Sequence, residues 1–259
     1  MVNSHKTRPL LSVLIPVYNE GDTLEEAIRR VVAVELPVGV EIICVDDASK
    51  DDSPAILEEL RAQGLVAVVV RHPENRGKGA AVRTAIGAAS GDILVIQDAD
   101  LEYDPRDLPL LLKPILEGRA DAVYGSRFLG APHRVLYFWH RLGNGFLTFV
   151  SNLLTDLNLT DMETCYKMVR GDLLRSLPLE SDRFGIEPEI TARLAQAGAR
   201  IFEVPVSYAG RTYGEGKKIG WRDGIAALWH LIRFNLFSRP GPPYDPPPTP
   251  PPSRPSRRQ

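Results

Sequence analysis

Only two cysteines occur in 259 residues, Cys44 and Cys165. They lie far apart, and Cys44 sits in the apolar run VEIICVD, where a thiol behaves as a small hydrophobe. A disulfide framework and a thiolate metal site are thereby excluded. No apolar run reaches the roughly 20 residues of a bilayer-spanning helix, because polar residues interrupt the two longest stretches, 146–154 and 225–237. A cationic leader followed by an apolar segment is also missing, which reads as a cytoplasmic chain without a secretory signal. Excess positive charge is absent, the formal net charge being −2. Nucleic acid is therefore not the main partner, since phosphate backbones select a strongly basic face. No G-x-G-x-x-G follows the first strand, which disfavours a dinucleotide-dependent dehydrogenase, and RGKG lacks the full P-loop spacing. The lack of a glycine-rich phosphate loop after that strand also counts against sugar nucleotidyltransferases.

What is present is an ordinary globular composition, 44% hydrophobic and 25% charged, enough for one large domain. Short β-branched runs at 11–15, 41–45, 66–70, 93–96 and 122–124 alternate with segments of helical spacing, such as Leu24, Ala27, Ile28 and Val31 behind an Asp22/Glu25 capping-box pattern. This βαβα alternation predicts an α/β fold, a mainly parallel sheet with helices on both faces. Ligands of such sheets bind at the carboxyl ends of the strands. After about residue 125 the pattern is less regular. An aromatic-rich stretch at 133–154 precedes the polar segment TDMET, a helix predicted over 186–197 and a strand over 201–204. Residues 239–259 hold ten prolines and four Arg against the single Asp245, which predicts an extended, disordered tail with polyproline II character.

Polar clusters follow the predicted strands directly. The first ends in IPVYNEG, setting Tyr18, Asn19 and Glu20 at the sheet edge, either as a base and ribose contact or as a plain turn. The second ends in VDDAS, where Asp46 and Asp47 are able to accept from a nucleobase N–H or, with Ser49, to cap a helix. The fourth runs into Asp98, Asp100 and Glu102. Three alternating carboxylates behind a buried strand repel one another unless a cation lies among them, and hard oxygen ligands favour Mg²⁺ or Mn²⁺ with open positions for a diphosphate. An acidic turn is the plainer alternative.

IPVYNEG, VDDASKD, NRGKGAAVRTAI and IQDADLEYDPRDL, in this order and spacing, resemble the nucleotide-sugar half of family 2 GT-A glycosyltransferases, most of all the dolichol-phosphate mannose synthase-like group and its bacterial polyprenyl-phosphate relatives. The match runs from residue 10 to about 230. It implies a GT-A, Rossmann-like domain over 1–238, with a donor half at about 10–125 and an acceptor half at about 126–238. It further implies that Pro16, Tyr18, Glu20, Val45 and Asp47 form the base and ribose pocket. Arg76 and Lys78 would lie over the pyrophosphate, and Asp98 and Asp100 would hold donor and metal. Glu102 would be the third metal contact, where many relatives carry Gln. Arg127, in YGSRF, would meet the acceptor phosphate, with Lys167, Arg211 and Lys217 as further cations. Asp100, Arg127 and Asp161 form the implied catalytic set, and the loop holding Arg211, Lys217 and Lys218 would close over the site.

The resemblance implies inverting transfer of a hexose from a GDP- or UDP-sugar to polyprenyl or dolichyl phosphate. Aromatic residues interleaved with Lys and Arg at 211–239 suit a peripheral contact with the cytoplasmic face of a membrane. Were the acceptor a sugar hydroxyl instead, Asp161 would have to take its proton. A catalytically inactive, glycosyltransferase-like binding protein is the non-enzyme alternative.

Overall fold

The computed structural model describes residues 8–130, 134–135, 137–211 and 221–247, with 221–223 as backbone only. Seven strands form one sheet: β1 (Leu10–Val17), β2 (Gly39–Asp46), β3 (Val68–Arg71), β4 (Ile93–Ile96), β5 (Ala122–Ser126), β6 (Lys167–Arg170) and β7 (Ile201–Pro205). The order is β3-β2-β1-β4-β6-β5-β7. All pairings are parallel except those of β6, which runs antiparallel to both β4 and β5. Every residue of β4, ILVI, is buried, as expected of a central strand covered on both faces. β6 was not anticipated in the sequence: KMVR is only four residues long and begins with a lysine.

The helices are α1 (Leu24–Val32), α2 (Ser53–Ala62), α3 (Lys78–Ala88), α4 (Leu108–Leu116), α5 (Phe138–Thr155), α6 (Gly171–Ser176), α7 (Ile186–Gln196) and α8 (Trp221–Ile232). In α1 the apolar residues Leu24, Ala27, Ile28 and Val31 face the core, at the i, i+3, i+4, i+7 spacing of one helical stripe. The Asp22/Glu25 capping box does not form: Thr23 stands at the N-cap without a side-chain cap, and its hydroxyl turns back to Glu20. Glu25 and Glu26 instead pair with Arg29 and Arg30 one turn on.

Asn19, Ala48 and Leu101 adopt left-handed backbone conformations with φ of 53°, 62° and 62°. They lie just beyond the carboxyl ends of β1, β2 and β4. Such geometry strains a residue with a Cβ and concentrates at functional loops. The first residues of the proline-rich segment are not free of the body. The Tyr244 N–H donates to the Ala197 carbonyl at 3.2 Å, its hydroxyl reaches the Asp172 carboxylate, and Arg193 donates to the Arg239 carbonyl. Residues 248–259 lie outside the described residues.

Candidate functional site

The carboxyl ends of β1, β2 and β4 are tied together by their loops. The Asn19 N–H donates to Ser49 Oγ at 3.0 Å, the Lys50 N–H to Asn19 Oδ1 at 2.8 Å, and the Glu20 N–H to Ser53 Oγ at 3.1 Å. Tyr18 presents its ring at the surface, 37% exposed. Pro16 and Val45 are register partners across β1 and β2, but Val45 is fully buried in the core, so its side chain offers a nucleotide no surface. Asp47 is tied into the following turn. One carboxylate oxygen meets His72 Nδ1 at 2.7 Å and accepts from the Arg76 N–H at 2.9 Å, and the other accepts from the Gly77 N–H at 2.7 Å. His72 is held in turn by Thr84 at 2.9 Å. Asp47 thus anchors the turn that launches α3. Gly77 is required in that turn: its φ is 95°, and a Cβ there would stand 2.5 Å from the Asp182 carbonyl oxygen.

Lys78, first residue of α3, projects between Asp98 and Glu187, 2.9 Å from an oxygen of each. Burial disfavours its charge, but the two carboxylates outweigh burial and push its pKa well above the ordinary lysine value. Lys78 is therefore a fixed positive charge on the donor side.

Asp98, Asp100 and Glu102 leave β4 as expected, yet they do not converge as a triad. Among the described residues no cluster of three or more His, Cys, Asp or Glu surrounds a possible ion position. Both oxygens of Glu102 are engaged, one by the Tyr208 hydroxyl and one by the Arg211 N–H, each at 2.7 Å. Glu102, expected as a third metal contact, here braces Tyr208 and Arg211. Asp100 behaves differently. Burial first, then repulsion from Asp98 and Glu102, raises its pKa to about 7 against the opposing pull of Arg211.

The cation among these carboxylates is Arg211. Its guanidinium lies 3.2 Å from Glu20, 3.0 Å from Asp100 and 3.7 Å from Glu102. Expected at the acceptor phosphate, it lies here as a counter-charge among Glu20, Asp100 and Glu102, while Lys78 pairs with Asp98. Lys217 and Lys218 lie outside the described residues.

On the acceptor side Arg127, just after β5, forms a fork with Asp161: Nε to Oδ2 at 2.6 Å and Nη2 to Oδ1 at 2.7 Å, with the Arg127 N–H adding a third bond at 3.1 Å. Asn144 of α5 donates to the same carboxylate at 3.1 Å. Burial pushes the Asp161 pKa up, but Arg127 outweighs it and the group is held below the ordinary carboxylate value. The Arg127 guanidinium also lies 5.1 Å from the centre of the Tyr208 ring. Tyr208, through Glu102, links Arg127 to the carboxylates that follow β4.

Lys167 is not at the acceptor. It is fully buried, donating to the Met162 carbonyl at 2.7 Å and to that of Thr164, beneath the Tyr124 ring. Burial lowers its pKa to about 8 against the pull of Glu187, Glu163 and Asp161. It shapes the loop that carries Asp161. Lys167→Met is accordingly expected to cost about 2–4 kcal/mol of stability in chemical denaturation, because two buried carbonyls lose a charged donor. Unchanged unfolding with a raised acceptor KM would return Lys167 to phosphate binding.

Three residues gave no sequence signal for their place here: Tyr208, His72 and Asn144. Glu163 and Glu187 did carry one, standing two residues after Asp161 and in the predicted helix.

Residues 12–177 match the family described as Glycosyl transferase family 2. The chain is similar to an undecaprenyl-phosphate mannosyltransferase of Micrococcus luteus, 31% identical over 86% of this chain and 97% of that protein. It is also similar to a dolichol-phosphate mannosyltransferase of Pyrococcus furiosus, 29% identical over 86% of this chain, of which it spans only 63%. In three dimensions it is similar to glucosyl-3-phosphoglycerate synthase of Mycobacterium tuberculosis solved with Mn²⁺, UDP and glucosyl-3-phosphoglycerate. The TM-score is 0.68 and the identity 23%, over 90% of this chain and 81% of that one, which shows a shared GT-A fold. With the donor carboxylates at the ends of parallel strands and a family match over most of the sheet, this chain belongs to glycosyl transferase family 2.

Proposed function

We propose that this glycosyltransferase moves a hexose from a nucleotide-diphosphate sugar to a polyprenyl phosphate at a membrane surface, with inversion and with a divalent cation. The observation that carries the reading is the build of α5. Its inward residues Thr148 and Ser151 are polar and buried, and Asn144 bonds to Asp161 and Arg127. Its outward residues Phe138, Trp139, Leu142, Phe146, Phe149 and Leu153 are exposed by 52–75%. A water-facing helix carries polar residues on its outer face instead. Arg141 is the only charged residue along α5, and α8, packed beside it, exposes Ile225 and Trp229. Contiguous apolar surface of this kind fits a lipid interface, although among the described residues no helix is long and apolar enough to cross a membrane. One helix thus carries both the lipid-facing stripe and a ligand of the acceptor cation.

A phosphate monoester also suits the charges. It is largely ionised at neutral pH, its second pKa being about 6, so it attacks the anomeric carbon without help from a base. Asp161 is ill suited to deprotonate a hydroxyl, since Arg127 and Asn144 occupy its carboxylate and hold it ionised. Arg127 draws the acceptor phosphate in and fixes its line of attack, and Lys78 offers charge to the departing diphosphate; alignment and fixed charge are the main terms. The paired carboxylates Asp98 and Asp100 are hard donors suited to Mg²⁺ or Mn²⁺, with few enough protein ligands to leave room for diphosphate oxygens. Bound there, the ion would neutralise charge on the leaving nucleotide diphosphate.

The test is transfer of labelled sugar from GDP-mannose, UDP-glucose and UDP-N-acetylglucosamine to short-chain polyprenyl phosphate with Mn²⁺, read as label in the organic phase. Label from one donor is expected. Trp139→Ser with Phe149→Ser should weaken binding to vesicles containing anionic lipid by about tenfold or more, while leaving metal-dependent donor hydrolysis intact. Donor hydrolysis with no lipid product from any donor would sink the lipid-phosphate acceptor.

A further inference from the structure

Two carboxylates, Glu163 and Glu187, carry buried oxygens that nothing among the described residues satisfies. Glu187, in the first turn of α7, gives Oε1 to Lys78, but its Oε2 is buried without a hydrogen-bond partner, and the residue is only 6% exposed. Glu163 is half-buried, and its Oε1 is likewise enclosed and unpartnered. After burial, the largest influence on Glu163 is repulsion from Glu187, followed by attraction to Lys167 and Arg127. Glu163 thus lies within electrostatic reach of Glu187, Lys167, Arg127 and Asp161.

An enclosed carboxylate oxygen without a donor costs about 1–3 kcal/mol, and two facing carboxylates add repulsion. Folded proteins keep such groups where a ligand completes them. Neutral hydroxyl donors suit these oxygens: the nearby cations Lys78, Lys167 and Arg127 are oriented on Asp98 and Glu187, on two carbonyls and on Asp161. The reactant that lies between a donor diphosphate and an acceptor phosphate is the sugar ring, which presents several O–H donors and no charge.

We propose that Glu163 and Glu187 form the subsite for the transferred hexose, accepting hydrogen bonds from its hydroxyls and excluding an anionic sugar. The inference rests on the nucleotide-sugar reading above, whose acceptor it does not depend on. It makes the enzyme selective for neutral hexoses against uronic acids through two carboxylates on different elements, one on the loop after Asp161 and one on α7.

The test is titration calorimetry on the full chain with Mn²⁺ and no lipid, using GDP, GDP-mannose, UDP, UDP-glucose and UDP-glucuronate. In Glu163→Gln, an isosteric change, the Kd of the preferred nucleotide-hexose should rise about tenfold relative to that of its bare nucleotide. The bare nucleotide should shift less than twofold, and UDP-glucuronate should gain on UDP-glucose. Glu187→Gln, which also cuts the link to Lys78, should move the ratio in the same direction, with a thermal melt to confirm folding. Nucleotide and nucleotide-hexose weakening together in Glu163→Gln, or an unchanged ratio, would overturn the subsite. An unchanged ratio combined with loss of the pH dependence of transfer would instead make Glu163 a base. Wild type that binds none of the five overturns the donor reading itself, and the subsite with it.

Discussion

Replacing Asp100 by Asn is expected to lower transfer by about a thousandfold or more while making the ligand-free protein more stable at pH 8. The first effect follows from the loss of an ionised carboxylate at the donor diphosphate, where removal of a single electrostatic partner typically costs 10²–10³ in rate, or roughly 3–4 kcal/mol. The second follows from the cost of keeping Asp100 charged. Burial and repulsion from Asp98 and Glu102 lift its folded pKa from 3.8 to about 7, so the folded state holds a proton that the unfolded chain has already lost. Stability from this group therefore falls as pH rises from about 4 to about 7 and stays low above that. Asn carries no such penalty. The variant should match wild type near pH 4 and exceed it by about 1–2 kcal/mol at pH 8 in denaturant unfolding, a figure discounted for partial exposure. Undiminished transfer would remove Asp100, and any ion it holds, from the mechanism. Equal stability at both pH values would mean that Arg211 neutralises the cluster fully.

Arg127→Ala is the second large change, and here activity and stability fall together. The guanidinium is bound bidentately to a fully buried Asp161, and removing one partner of such a pair leaves an uncompensated charge, typically at a cost of 3–5 kcal/mol. Transfer should drop below detection, since on the proposed reading the acceptor phosphate loses the positive charge that draws it in. A single variant does not separate a lost contact from a damaged fold, so the pair is best replaced as a unit. Arg127→Met with Asp161→Leu removes both charges and fills the volume, and should recover most of the lost stability without recovering transfer. Arg127→Lys keeps the charge but not the fork, and should show a raised acceptor KM with a smaller loss in melting temperature. Restored transfer in the double variant would demote the pair to a structural tie.

Much of the donor half was legible from sequence because its information is local. A parallel strand is a short apolar run, and the residue that follows it lies at the sheet's carboxyl edge wherever the helices go. Asp98, Asp100, Tyr18 and Glu20 were placed beyond strand ends this way, and β4 occupies the predicted positions 93–96. β6 escaped because a four-residue strand beginning with Lys167 shows no periodicity of its own, and its antiparallel place between β4 and β5 depends on both neighbours.

What the sequence determined by itself was the layered α/β class and the placing of polar residues after the strands, because helix and strand periods and turn residues are written into neighbouring positions, and its motifs carried the family resemblance. What only the tertiary structure decided was which charges meet. Arg211 lies 191 residues from Glu20 and 111 from Asp100 along the chain, and no local pattern encodes such a pairing. Lys167 and Arg127 are both cations near TDMET in the fold, yet one is sealed under Tyr124 and tied to carbonyls, while the other forks onto Asp161. Burial depth separates their roles, and depth is a property of packing. The same holds for α5. Its composition shows apolar residues on several faces, but only packing against the body reveals that Leu147, Val150 and Leu154 join the core beside Thr148 and Ser151 while the other apolar residues stay open.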